Sequence, residues 1–356
     1  MRLRVLDLDH QPPYRSQAVY HGIATALADG DDPVLTLLNP SDPYVCVGLH
    51  QDIGLEVDEA YCRQQDLPVI RRRVGGGAVY LDRHQLFFHF IYPADLAPRR
   101  IAEIYGHFTD PVIETYRRLG VEAHFRPVND IQVNGRKIGG TGAATLGEAT
   151  VMVGSFLFDF DVETMSRCLK VPSEKFRDKL RQGMNDYITT LSRELEHPPT
   201  REEVIAIFLQ ALRERLGVKP VADTLTPAEE IAIAQQERAL ADPEWTHQKG
   251  RRFVEDGVKI AEGTHLADGA EKAPGGLIRA RLLSRDGRVA DLSLSGDFTV
   301  FPQTGMERIA QALRGLPVDP EGLEVAISRT MQREELDLPG IHPRHIATAI
   351  LNARRS

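Results

Sequence analysis

The chain has 356 residues, 42% of them hydrophobic and 26% charged, a globular composition at a length that suggests two domains. Its 43 basic and 51 acidic residues leave a net charge of -8, so no general pull toward nucleic acid or an anionic membrane is expected. No run approaches the roughly 20 apolar residues that span a bilayer, and MRLRVLDLDHQPP at the N-terminus lacks the apolar stretch of a secretory signal. Three cysteines, Cys46, Cys62 and Cys168, show no CxxC spacing. They fit neither a disulfide framework nor a cysteine-rich zinc site, and they suit a reducing cytosol.

In chain order, VLTLL (34–38) and YVCVGL (44–49) are short apolar runs bounded by Pro40, Pro43 and Gly48, which predicts strands. Residues 67–81 read as strand, glycine loop, strand, and QLFFHFIYP (85–93) as an alternating, aromatic-rich strand. The spacing of Ile104, Phe108, Val112, Ile113 and Tyr116 predicts a helix over 101–119, which Pro111 would kink or restart. A hairpin follows over 128–138, turning at Asn134-Gly135, and then the strand TVMVGSFLFDF. Thr200 and Glu203 form a capping box that opens a helix ending at Gly217, and PAEEIAIAQQERAL makes another helix. The pattern changes near residue 245. From Lys259 to Phe301 it reads as several strands with a turn at Asp286-Gly287, followed by the helix GMERIAQALRG. The expected class is α/β over 1–245 with a small α+β domain over 246–356.

Two segments carry the chemistry. In Arg71-Arg72-Arg73-Val74-Gly75-Gly76-Gly77-Ala78, three glycines between strands let the backbone approach a ligand closely. Successive N–H groups there can cradle an oxyanion while the arginines supply positive field. The plainer alternative is a tight turn flanked by surface arginines. Neither GxxxxGK[ST] nor GxGxxG is present. In the second segment, 129–143, pairing across the hairpin brings Asp130 near Lys137. The lysine can neutralise a phosphate or a developing negative charge, and Asp130 can hold Mg²⁺ or orient the lysine. A solvent-exposed hairpin is the alternative. Histidines 84, 89, 107 and 124 lack i+3 or i+4 pairing, so zinc has little support. His89 reads as a core or pocket residue, and Trp245 as packing the two domains together.

Taken together, RRRVGGGAVYLD (71–82) and NDIQVNGRKIGGTGAA (129–144), supported by GLHQD (48–52), QLFFHF (85–90) and GSFLFDFD (154–161), resemble the lipoate–protein ligase family and its biotin ligase and octanoyltransferase relatives. The resemblance covers about residues 1–240, and the tail looks like the small accessory domain that some of these ligases carry or recruit. It implies a mixed β-sheet with flanking helices, as in the biotin ligase and class II synthetase core, followed by a small α+β domain. It also implies an ATP-dependent, AMP-forming ligase. Lipoate or octanoate would attack the α-phosphate of Mg-ATP, and a lysine of a lipoyl-carrier protein would then displace AMP. By match to the family's motifs, Lys137 is the catalytic lysine, touching both acyl oxygen and phosphate. Arg72, Gly75, Gly76, Gly77, Ala78, Asn129, Asp130, Thr141, Gly142, Gly154, Ser155 and His50 are the substrate- and adenylate-binding candidates, with Asp130 also the candidate Mg²⁺ ligand. A cytoplasmic enzyme with a carrier-protein partner, and neither nucleic acid nor membrane, is the expectation. An acidic acceptor would meet the arginines of 71–73.

The chain departs from the family pattern in three places. One glycine is added to the family's Lys-x-x-Gly-Ser/Thr-Ala motif (Lys137-Ile-Gly-Gly-Thr141-Gly142-Ala143), Val153 replaces a frequent histidine, and Asp186-Tyr187-Ile188-Thr189-Thr190 replaces a serine/arginine-rich run. Octanoyltransferases form a thioester on a cysteine downstream of the lysine motif, and residues 145–158 contain none. An ATP-independent acyltransferase and a non-catalytic acyl- or adenylate-binding protein are the alternatives.

Overall fold

The computed structural model describes residues 1–28, 30–248 and 264–355, so the first residues of the strand read from Lys259 lie outside the described residues. Two compact units emerge. The first comprises Met1–Cys46, Glu56–Arg72 and Val79–Thr246; the second comprises Val47–Leu55, Arg73–Ala78 and His247–Ser356. Two short stretches from the N-terminal part, including the glycine loop, thus belong with the C-terminal part.

The first unit runs β1 (Arg2–Gln11), α1 (Pro13–Ala26), β2 (Val34–Pro40), β3 (Tyr44–Val47), α2 (Ile53–Glu56), α3 (Glu59–Gln64), β4 (Val69–Arg71), β5 (Val79–Leu81), β6 (Gln85–Pro93), α4 (Ile101–Arg118), β7 (His124–Arg126), β8 (Asp130–Val133), β9 (Arg136–Leu146), β10 (Ala149–Leu157), α5 (Val162–Cys168), α6 (Glu174–Tyr187), α7 (Leu191–Glu194), α8 (Arg201–Leu216), β11 (Lys219–Ala222), α9 (Pro227–Leu240) and α10 (Pro243–Thr246), with β3 and α2 each crossing the division. Its main sheet has eight strands in the order β11-β1-β2-β6-β10-β9-β8-β7, and β4-β3-β5 form a second sheet. β1 pairs parallel to β11 and β2, whereas β2, β6, β10, β9, β8 and β7 pair antiparallel in succession. The sheet is mixed and flanked by helices.

β6 is central, and all nine of its residues are buried. Its aromatic run is explained by two covered faces rather than by an inside–outside alternation. Phe88 and Phe90 meet Phe208 of α8, and Phe90 and Tyr92 meet Phe108 of α4. His89 points the other way, 4.8 Å from the ring of Tyr20 in α1, with Nδ1 2.8 Å from the hydroxyl of Thr36. α4 continues through Pro111 without restarting. The buried Phe108 and Val112 on either side keep it packed at the cost of one backbone hydrogen bond. α8 carries the reciprocal capping box between Thr200 and Glu203, and Gly217 ends it at φ 64°.

Burial holds His89 at about 3, far below its ordinary value of 6.5. The folded state keeps it neutral while the unfolded chain takes up a proton below pH 6.5. Stability must therefore fall as pH drops from 6.5 toward 3, by up to about 1.4 kcal/mol per pH unit. Between pH 7 and pH 5 this one group should cost about 2 kcal/mol. Urea titrations at both pH values should show that His89→Gln reduces the pH-dependent loss by that amount.

In the second unit, β12 (Thr264–Ala273), β13 (Gly276–Arg285) and β14 (Arg288–Gly296) form an antiparallel meander, followed by α11 (Gly305–Leu313), α12 (Pro320–Arg333) and α13 (Pro343–Arg355). Asp286 and Gly287 both take positive φ in the β13–β14 turn, as the sequence requires. Ile278, Leu282, Phe298, Ile309, Leu323 and Ile350 are among the side chains that form its core. Among the described residues of either unit, no helix is long and apolar enough to cross a membrane.

Candidate active site

The β8–β9 hairpin turns at Asn134 (φ 49°) and Gly135 (φ 76°), the double left-handed pair of a tight hairpin turn. Its register is not uniform. Gln132 pairs with Lys137 but Ile131 pairs with Gly139, so Ile138 is an extra residue on β9. Such a bulge bends the strand and re-aims a side chain. Tyr116 of α4 fixes it by donating to the Ile138 carbonyl at 3.1 Å. Gln132 and Asp130 lie on one face of β8, with Lys137 opposite the first and Gly140 opposite the second. Lys137 reaches back over Gly140 and places Nζ 2.7 Å from Oδ1 of Asp130. A methyl group at Gly140 would lie 3.1 Å from that Nζ, so the glycine at this position leaves room for the lysine side chain to lie over it.

Asp130 has further partners that the sequence reading missed. Its Oδ2 accepts from the Tyr187 hydroxyl at 2.9 Å, and Arg126 Nη1 stands 3.8 Å away. Tyr187 in turn accepts from Gln132 Nε2 at 2.9 Å and from Arg126 Nη1 at 3.1 Å. Burial and the adjacent carboxylate push its phenol above the ordinary value, so it remains a proton donor. The Lys137–Asp130 pair is part-exposed, at 33% and 18% for the two side chains, and therefore accessible to a ligand.

Asn129 and Thr141 lock the base of the hairpin. Asn129 Nδ2 donates to the Thr141 carbonyl, and the Thr141 N–H and hydroxyl both donate to the Asn129 carbonyl, each at 2.9 Å. Thr141 and Gly142 pair across β9–β10 with Gly154 and Val153. Gly154 yields space to the ring of Phe88, which a methyl would meet at 2.5 Å, and Ser155 is buried beside it. Asp130, Lys137, Thr141, Gly142, Gly154 and Ser155 thus occupy positions on three neighbouring strands, with Asn129 in the turn just before the first.

Two of the three arginines of the run are buried and present no surface charge to an acidic acceptor. Arg71 is fully buried and donates to the Thr246 carbonyl at 2.9 Å, while its own carbonyl accepts from Trp245 Nε1 at 2.9 Å. That bond anchors Trp245 within the first unit. Arg72 is also buried and donates to the Cys46 carbonyl at 3.2 Å. Arg73 is half-buried, and its carbonyl accepts from Gln303.

Gly75, Gly76, Gly77, Ala78 and His50 lie in the second unit. Gly76, at φ 94°, donates its N–H to the Phe298 carbonyl, so this N–H is taken by protein. A methyl at Gly75 would lie 2.6 Å from the same oxygen, and one at Gly48 only 1.9 Å from the Gly76 carbonyl. Gly77 is different: a methyl there would meet nothing nearer than 3.8 Å. His50 is buried and stacks on Phe298 with ring centres 5.1 Å apart. Most of the glycine signal here is the close passage of backbones.

With this geometry in hand, the comparison with known proteins is decisive at the family level. Residues 12–213 match the lipoyl protein ligase A/B catalytic domain. The chain belongs to that family. The lipoate-protein ligase LplJ of Bacillus subtilis is 27% identical over 260 residues, 72% of this chain and 74% of that protein. The octanoyltransferase LipM of Kyrpidia tusciae is 28% identical over 262 residues, 66% of this chain and 94% of that one. Among solved structures, a bi-partite lipoate protein ligase of Thermoplasma acidophilum, described with its E2 lipoyl domain, superposes with a TM-score of 0.63 at 27% identity, covering 69% of this chain and 95% of that one. The mixed sheet with flanking helices is the fold of these lipoyl ligases, and ligases and transferases share the family.

Within this lipoyl ligase/transferase frame the three cysteines are buried. Burial pushes the Cys46 thiol up against the opposing pull of Arg72. Cys168 is raised by the Cys62 thiol against it and by burial. Among the described residues no group of three His, Cys, Asp or Glu could hold a metal ion. Asp130 supplies one carboxylate, both of whose oxygens are already engaged, so these residues do not build a metal site by themselves.

Proposed function

We propose that this protein is an ATP-dependent lipoate–protein ligase. The observation that carries the reading is Lys137, held by Asp130 over Gly140 on a bulged hairpin, in a chain whose thiols are all buried. Lipoate or octanoate attacks the α-phosphate of Mg-ATP through a carboxylate oxygen, and pyrophosphate leaves. A lysine amine on a lipoyl domain then attacks the acyl carbonyl and AMP leaves. In both steps negative charge sits on a phosphate and a carbonyl oxygen, which one ammonium can stabilise together. Asn129, Thr141, Gly142, Gly154 and Ser155 shape the strand surface around it. Arg72, Gly75, Gly76, Gly77, Ala78 and His50 are carried as ligand contacts on the motif resemblance alone. Mg²⁺ enters with ATP as substrate, and Asp130, both of whose oxygens are engaged, orients Lys137 rather than holding the ion. Residues 246–356 are read as the accessory domain, and the setting as the cytoplasm, without nucleic acid or membrane.

The LipM relatives favour a second reading, acyl transfer through a cysteine thioester without ATP. The triple variant Cys46→Ser, Cys62→Ser, Cys168→Ser separates the two. A ligase should retain lipoylation of a lipoyl domain within about threefold, the changes being nearly isosteric. A transferase working through any of these thiols should lose transfer from octanoyl-carrier completely.

A further inference from the structure

We infer that Tyr187 is a positioning residue for Lys137, acting through Asp130. The phenol has one proton to give and two lone pairs to fill, and all three are used: it donates to Asp130 Oδ2 and accepts from Gln132 and Arg126. Asp130 is thereby gripped at both oxygens, by Tyr187 at Oδ2 and by Lys137 at Oδ1. A carboxylate held at one oxygen alone can rotate about its side-chain bonds. Held at both, it fixes the direction in which the ammonium lies over Gly140.

The position of Tyr187 is itself anchored. It is the last residue of α6, a helix of 14 residues none of which is buried, so packing alone does not set its end. The following residues are tied to the catalytic strand instead. Ile188 bridges Lys137 in parallel register, and Thr189 N–H donates to the Lys137 carbonyl at 2.9 Å. The end of α6 therefore holds Lys137 twice, through its backbone and through the tyrosine–aspartate chain to its ammonium. This lies in the Asp186–Thr190 stretch, where the chain departs from the family's serine/arginine-rich run.

The test is competitive acetylation of the full chain by acetic anhydride at one fixed pH, with each lysine quantified by peptide mass spectrometry. Asp130→Asn sets the level for a released lysine. Tyr187→Phe should raise labelling of Lys137 about threefold toward that level, with Lys170, Lys175, Lys179 and Lys219 unchanged. Labelling of Lys137 equal to wild type would overturn the inference. So would a rise at every lysine, which would make the hydroxyl merely structural, or no response to Asp130→Asn. An activity arm rests on the ligase reading. Tyr187→Phe should lower kcat for lipoate-dependent ATP–pyrophosphate exchange about tenfold, with KM for lipoate within twofold. A rise in KM with kcat unchanged would contradict positioning. Absence of exchange in wild type would defeat the ligase reading, and the labelling arm would still decide the role of Tyr187.

Discussion

Lys137→Ala is expected to lower lipoyl-AMP formation about a thousandfold while leaving the fold intact. Removing one preorganised donor from a developing oxyanion costs about 10² to 10³ in rate, and this ammonium is asked to serve both an acyl oxygen and a phosphate. Its effect on stability should be small, because the Lys137–Asp130 pair is part-exposed and such pairs contribute little net. Lys137→Arg should not restore activity. A guanidinium spreads its charge over a planar fork and does not present the single compact charge that the ammonium places beside Asp130. Thermal melts alongside lipoyl-AMP quantification check both halves.

The second large effect concerns the glycine loop. Gly48→Ala should destabilise the second unit by about 3 kcal/mol, because the new methyl sits 1.9 Å from the Gly76 carbonyl oxygen and no flexible side chain can yield. Gly75→Ala should behave similarly, its methyl meeting the Phe298 carbonyl at 2.6 Å. Gly77→Ala should change stability by less than about 0.5 kcal/mol, its nearest neighbour lying 3.8 Å away. Denaturant titrations of the three variants separate backbone packing from ligand approach. If Gly77→Ala melts normally but loses adenylation, the loop also serves the ligand at that residue.

What was legible in the sequence was local chemistry. Asn134-Gly135 specified the turn, Thr200 and Glu203 the cap, and Gly217 the helix end, because each needs only neighbouring residues. The pairing of Asp130 with Lys137 followed from the same turn. α1 was illegible because Ser16, Gln17 and His21 are buried beside its apolar residues, which erases the stripe that periodicity detects. α6 was illegible for the opposite reason, having no fully buried residue. Tyr187 escaped notice because it meets Asp130 across 57 residues of chain. The three glycines suggested ligand approach, whereas Gly75 and Gly76 meet Phe298, a partner remote in sequence. Arg71 and Arg72 likewise promised positive surface, and the structure spends them on buried carbonyls.

The measurement that bears most directly on the proposed activity is the mass of a purified lipoyl domain after incubation with this protein and lipoate, with and without Mg-ATP, using wild type and Lys137→Ala. The account predicts a gain of one lipoyl group on the domain that requires both ATP and Lys137. Acylation from octanoyl-carrier without ATP, or a gain undiminished in Lys137→Ala, would contradict it.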